Sequence, residues 1–95
     1  MRVNEPALDL GIILAVASSF KNIGIPENVA VIGEVGLTGE VRSVNMIEKR
    51  VKEVEKLGYK KCLIPESNKK YLKDSYKLDI IGVKNVNEAL NSFFK

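Results

Sequence analysis

The run that decides the fold is Val29-Ala30-Val31-Ile32-Gly33-Glu34-Val35-Gly36-Leu37-Thr38-Gly39-Glu40-Val41-Arg42. Its first four residues are small or β-branched and apolar, which suits a buried strand. Glycines at 33, 36 and 39 then punctuate the chain. The spacing predicts a hairpin or tight strand pair, with strands near 29–35 and 40–44. A glycine-rich loop can also cradle phosphates, but this one lacks the Lys-Ser/Thr ending of a P-loop and leads into a strand, not a helix. A structural turn is the reading it supports.

Downstream, Asn45-Met46-Ile47-Glu48 has the form of a capping box, a side-chain oxygen followed three residues later by glutamate. Ile47, Val51, Val54 and Leu57 continue at helical spacing up to Gly58. Lys61-Cys62-Leu63-Ile64 is a short buried strand stopped by Pro65. Ser67 is placed to cap one or two turns through Leu72, and Asp79 to Val83 forms a last strand. Asn85 and Glu88 repeat the capping box before Val86, Ala89, Leu90 and Phe93, a terminal amphipathic helix.

Upstream, Asn4-Glu5-Pro6 reads as a helix start, since asparagine caps well and proline tolerates the first turn. The helix is expected to reach about Lys21, apolar on nearly every face from Leu8 to Val16, with Gly24 and Pro26 closing it. The predicted order is α-β-β-α-β-α-β-α. Strands separated by helices imply an α/β (α+β) fold with a partly parallel sheet packed with helices.

Composition narrows the chemistry. The 95 residues fit one small domain with a modest core, and 45% hydrophobic content suits a globular chain. Net charge is only +3, from 15 basic and 12 acidic residues, so a surface wholly devoted to phosphate is excluded. Lysines concentrate between Lys49 and Lys70 but share that stretch with Glu53, Glu55 and Glu66, as a solvated face would. One cysteine, Cys62, allows neither an internal disulfide nor a cysteine-based zinc site, and fits a reducing, cytoplasmic setting. With no histidine, imidazole-dependent nucleophile triads are ruled out. The apolar run Leu10 to Ala17 is too short for a membrane span.

Among residues that could carry chemistry, Glu34 and Glu40 flank the glycine turn without an evident nucleophile beside them. Asp9, in an otherwise apolar stretch, needs a partner, and Arg42 is a candidate. Ser18, Ser19 and Ser67 would each need a lysine for activation.

Three runs together carry a family resemblance: Asn4 to Leu10, Ala15 to Phe20, and Gly33 to Arg42. With Glu55-Lys56-Leu57-Gly58-Tyr59 and Leu63-Ile64-Pro65, they resemble the last part of RadA/Sms DNA-repair proteins over essentially the whole chain. More distantly, the layout is similar to the proteolytic domain of Lon, a serine-lysine protease. Lon's nucleophile lies in an Asp-Gly-Pro-Ser-Ala-Gly segment whose proline aligns with Pro6, which puts Ala7 at the serine position. Lon's lysine follows a Gly-Gly-Leu at the start of the next long helix, where Asn45-Met46-Ile47 is followed here by Glu48. Lys49, one residue along, would point about 100° away on a helix. The resemblance therefore implies a Lon-protease-like domain with both dyad positions lost.

By the same resemblance, the parent protein carries an N-terminal zinc module and a RecA-like ATPase. ATP, Mg and Zn then belong outside this region, and no cofactor is expected within it. Residues 1–95 are expected to be a fragment lacking the domain's N-terminal strands, whose open sheet edge would favour a dimer. In the intact protein the Lon-like parts are expected to build a ring hexamer that supports branch migration on DNA, with no membrane partner. Arg42, Lys49, Arg50 and Lys52 are the candidate DNA contacts, being basic and close to the start of one helix. Rival readings are an oligomerisation or docking module without DNA contact and a divergent protease using Ser18 or Ser19.

Overall fold

A computed structural model describes residues 8, 9, 11, 28–73 and 75–93 of the chain. Six strands occur among them: β1 (Leu8–Asp9), β2 (Val29–Val31), β3 (Glu34–Val35), β4 (Val41–Arg42), β5 (Lys61–Pro65) and β6 (Asp79–Val83). Three helices accompany them: α1 (Ile47–Lys56), α2 (Glu66–Lys69) and α3 (Val86–Phe93). The strands form two three-stranded sheets, an antiparallel one ordered β1-β3-β4 and a parallel one ordered β2-β5-β6. The mixed α/β class with partly parallel pairing expected from the sequence is present.

The parallel sheet explains the near-continuous apolar runs of its strands, because helices or hairpin cover both faces. Register places Val31, Leu63 and Ile81 in one row and Ala30, Cys62 and Ile80 in the next. Successive side chains point to opposite faces. Leu63 and Val83 accordingly join Val35 and Val41 of the antiparallel sheet and Ala89 of α3 in one core. Cys62 and Ile64 face the other way and pack with Ile47, Val51 and Leu78. Leu63, Ile64, Val51 and Cys62 are fully buried, each large aliphatic side chain contributing roughly 1.5–3 kcal/mol.

The hairpin is joined to the parallel sheet by backbone. Val41 N–H donates to the Lys84 carbonyl at 2.8 Å, and Val86 N–H donates to the Gly39 carbonyl at 3.0 Å. These bonds flank a bridge between Glu40 and Asn85. The turn after β3 thereby docks where β6 hands over to α3.

Several helix ends follow the sequence. Gly58, at φ +90°, closes α1, its left-handed backbone costing a glycine nothing sterically. Asn85 Oδ1 accepts from Glu88 N–H at 2.9 Å, while the Glu88 carboxylate accepts from Lys84 N–H at 2.8 Å. This is the expected capping box, with its return bond one residue earlier than the usual pattern.

Other expectations are corrected. The run 29–35 is not one strand: it breaks at Ile32-Gly33, so that β2 enters the parallel sheet and β3 the antiparallel one. Leu8 and Asp9 are not the first turns of a helix but a strand paired with Val35 and Glu34. Their backbone groups meet the edge of β3, and Asp9 Oδ1 then accepts from the N–H of helical Gly11 at 2.7 Å. The rest of the helix expected from Pro6 to Lys21 lies outside the described residues. Ser67 does not cap α2. It sits inside that helix, whose preceding residue is Pro65, and its hydroxyl meets that of Ser43. No helix among the described residues is long and apolar enough to cross a membrane.

Candidate functional site

The glycine turn is organised around one carboxylate. Gly36 N–H donates to the Glu40 carbonyl at 2.9 Å, and Gly39, at φ +86°, donates back to the Gly36 carbonyl at 3.1 Å. Within that loop the Glu40 carboxylate accepts from the Thr38 hydroxyl at 2.5 Å and the Thr38 N–H at 3.2 Å. Its other oxygen meets Arg42 Nε at 3.3 Å. Donors to the charged form, the Thr38 hydroxyl foremost, hold the Glu40 carboxyl down at about 2. A Cβ at Gly36 would run into the Glu40 carboxylate and come within 2.7 Å of the Arg42 guanidinium, so a larger residue there would push both side-chain ends out of the arrangement. The carboxylate's bonds are with its own loop, which makes it a brace and not an acid or base awaiting substrate.

After β4 the chain passes through Ser43, Val44, Asn45 and Met46 before α1 begins. Asn68, on α2 and only 3% exposed, holds this connection like a short piece of sheet. Its Oδ1 accepts from Val44 N–H at 2.8 Å and its Nδ2 donates to the Val44 carbonyl at 3.0 Å. The predicted cap at Asn45 is not made. Met46 turns left-handed at φ 56° and occupies the cap position, with no side-chain cap bond. Asn45 is instead taken by Arg50, whose Nε donates to the Asn45 carbonyl at 2.8 Å and whose Nη2 donates to Oδ1 at 3.0 Å.

Two clefts open beside this connection. One, of about 390 Å3, has Asp9 and Glu34 on one wall and Ser43, Asn45 and Arg50 on the other. The second, also about 390 Å3, lies between the start of α1 and the end of α2, lined by Ser43, Val44, Met46, Ile47, Glu48, Asn68 and Tyr71.

The four candidate DNA contacts are exposed but do not form one patch. Arg42 is on β4, ion-paired with Glu40. Lys49, Arg50 and Lys52 are on α1, where residues two apart are about 200° apart around the axis, so Arg50 and Lys52 diverge. Lys49 and Arg50 also share a groove with Glu53. The expected Asp9–Arg42 pair is replaced. Strand order puts Glu34 between them, opposite both, and Arg42 turns to Glu40. Glu48 is half-buried in the first turn of α1. Ala7, Ser18 and Ser19 lie outside the described residues.

Sequence reading missed Asn68 and Thr38. A Lys-Lys-Tyr run after Asn68 gives no hint of a buried amide, whereas Thr38, two residues before Glu40, was locally recoverable.

The described geometry can be set beside known proteins. The family described as subunit ChlI of Mg-chelatase matches residues 1–68. This chain belongs to that family. It is also similar to the DNA repair protein RadA of Bacillus subtilis, 49% identical over 94 residues, and to that of Halalkalibacterium halodurans, 47% identical over 90. RadA of Streptococcus pneumoniae is 37% identical over 94 residues, 99% of this chain. The chain spans about a fifth of the length of these relatives, 20% of the first two and 22% of the third. The ChlI-family match thus includes the glycine turn, the Val44 connection and α1, while the RadA likeness, expected from the sequence, continues through nearly the whole chain.

Proposed function

We propose that this chain is a non-catalytic, Lon-like module of a RadA-type DNA-repair ATPase, supporting ring assembly and contacting DNA during branch migration. The observation that carries the reading is identity of 47–49% over 95–97% of the chain with proteins named for DNA repair. In the parent protein, ATP, Mg and Zn chemistry would reside in other parts, in the cytoplasm. Within this chain, the positions that resemble a serine-lysine dyad hold Ala7 and Glu48, and a methyl group cannot attack a carbonyl.

DNA contact by Arg42, Lys49, Arg50 and Lys52 is an electrostatic expectation, so affinity should fall steeply as salt rises. Fluorescence anisotropy of labelled DNA across a salt series, repeated with the Arg42→Glu/Arg50→Glu double variant, tests it. Weakened binding in the variant supports the reading. Binding that ignores both salt and the double charge reversal counts against it.

A second reading, docking or oligomerisation without DNA, is favoured by the prior engagement of Arg42 with Glu40 and of Arg50 with Asn45. Absence of DNA binding together with concentration-dependent assembly in sedimentation would select it.

A further inference from the structure

The 390 Å3 cleft beside the Ile32-Gly33 break sets charges of opposite sign on its two walls. On one wall Asp9 and Glu34 are direct cross-strand partners, so their side chains share a face of the antiparallel sheet. Like charges placed opposite each other cost stability. Arg42, opposite Glu34 on the other side, is the cation placed to relieve this, yet it turns to Glu40. The exposed Glu34 carboxylate consequently has no hydrogen bond or ion pair among the described residues. On the facing wall Arg50 is fixed by two contacts to Asn45, one to a carbonyl and one to an amide oxygen. Both partners are neutral, so the guanidinium is held in place with its charge intact and further N–H groups to donate. It forms no ion pair with Glu34 across the cleft. The Asn45 Nδ2 and the Ser43 hydroxyl add donors to the Arg50 wall.

A wall of acceptors facing a wall of donors, held apart, suits a ligand that carries both charges itself. A simple anion would meet the carboxylates, and a simple cation the guanidinium. We propose that this cleft is a binding site for a small zwitterion, a free α-amino acid, whose ammonium group bonds to Glu34 beside Asp9 and whose carboxylate bonds to Arg50. The carboxylate meets a guanidinium whose direction is already set, and both contacts are charge-assisted hydrogen bonds. Volume limits the ligand, since the cleft is near the lower end of the roughly 300–1,000 Å3 of small-molecule sites. Val31, Ile32 and Val44 supply the apolar part of the lining, which fits a short aliphatic side chain. The site is independent of the DNA-handling reading above, and its loss would leave that reading untouched.

The test is an NMR titration of the nitrogen-15-labelled 95-residue chain with L-alanine, beside two blocked forms of the same ligand. L-Alanine should shift the amides of Gly33, Glu34, Ser43 and Asn45 saturably. L-Alaninamide, which lacks the carboxylate, and N-acetyl-L-alanine, which lacks the ammonium group, should each bind roughly 10-fold more weakly or worse, the usual worth of a hydrogen bond to a charged group. Glu34→Gln should weaken L-alanine by a similar factor and leave N-acetyl-L-alanine unchanged, because only the ammonium contact is lost. Glu34 is exposed and belongs to neither core, and its removal relieves the like-charge pair with Asp9, so the variant should melt at or above the parent chain. L-Alanine should raise the melting temperature of the parent chain and not of the variant. The proposal is overturned if L-alanine gives no saturable shift at about 10 mM, enough to fill roughly nine-tenths of a site of about 1 mM affinity. Shifts centred away from these residues, blocked forms that bind as tightly as L-alanine, or a Glu34→Gln variant that binds it like the parent would each overturn it as well.

Discussion

Replacing Asn68 should cost this domain more than replacing any exposed charge, because one amide completes both polar groups of Val44. Truncation to alanine removes the 2.8 Å bond to Val44 N–H and the 3.0 Å bond to its carbonyl. Each backbone group left short of a partner costs about 1–3 kcal/mol, but Val44 is only half-buried and water can reach part of it. A total loss of about 2–4 kcal/mol follows. A chain of this size has roughly 5–14 kcal/mol in all, so the melting temperature should fall by about 10–25 °C. Asn68→Asp separates the two bonds. It keeps an oxygen for Val44 N–H but, when ionised, turns a second oxygen toward the Val44 carbonyl. Burial and that carbonyl raise the new carboxyl's pKa, so its stabilising form is the protonated one, present at low pH and lost as pH rises. Urea unfolding followed by circular dichroism at pH 7 and near pH 4 is the assay. Asn68→Asp should be weak at pH 7 and regain part of its deficit, relative to the parent chain, near pH 4. A loss below about 0.5 kcal/mol in Asn68→Ala, or an Asn68→Asp deficit that does not change with pH, would refute the clamp.

Glu40, held at about 2 against an ordinary 4.5, stabilises the fold above pH 4.5, and that contribution fades as pH falls toward 2. Glu40→Gln should therefore melt below the parent chain at pH 7, with the gap closing between pH 4.5 and 2.5; a constant gap would contradict the brace. Burial raises the Cys62 thiol from 9.0 to about 11, so the reverse sign applies: stability it confers is intact below pH 9 and lost between 9 and 11. In the native chain Cys62 should resist alkylation at pH 8 and react fully once urea unfolds it, which mass spectrometry can follow. Gly82→Ala should lower stability by about 1–3 kcal/mol, because the new methyl would strike the Glu66 side chain and lie 3.2 Å from its Cα. Gly82→Ala/Glu66→Ala should recover part of that loss, leaving the backbone contact; no recovery in a thermal melt would place the clash elsewhere.

What could be read from the sequence was what short-range physics determines. The alternation Cys62-Leu63-Ile64 gave a strand buried on both faces, and the structure divides those residues between two cores. Gly58 ended a helix because a left-handed residue there is cheap only for glycine. The Asn85–Glu88 box formed because neighbouring residues within four positions satisfy it. The identical-looking Asn45–Glu48 box failed because left-handed Met46 takes the cap position and Arg50, five residues on, gives the Asn45 Oδ1 a charged donor while a second binds the Asn45 carbonyl. The break at Ile32-Gly33 and the pairing of Leu8–Asp9 with β3 were equally hidden, since both depend on which sheet edge a short strand finds. Asn68 was beyond local reading for the plainest reason. Its partner is 24 residues away.

The conformational demands of the glycine turn also bear on where function sits. A segment so particular in sequence invites a catalytic or phosphate-binding role, yet its particular residues satisfy one another: Gly36 makes room for Glu40, Thr38 and Arg42 bond it, and Gly39 reverses the chain. That self-sufficiency consumes Arg42, as the Asn45 contact consumes Arg50, and a cation already paired gains less from a phosphate than an exposed lysine does. The same two braces fix β4, the Val44 connection and the start of α1, and the last two form one side of the Tyr71 cleft. The arginines that sequence reading marks for DNA thus act, in this geometry, mainly on position. Charge reversal at Arg50 should therefore lower the melting temperature as well as any binding, because it breaks both contacts to Asn45; an Arg50→Glu variant that melts with the parent chain would contradict that role.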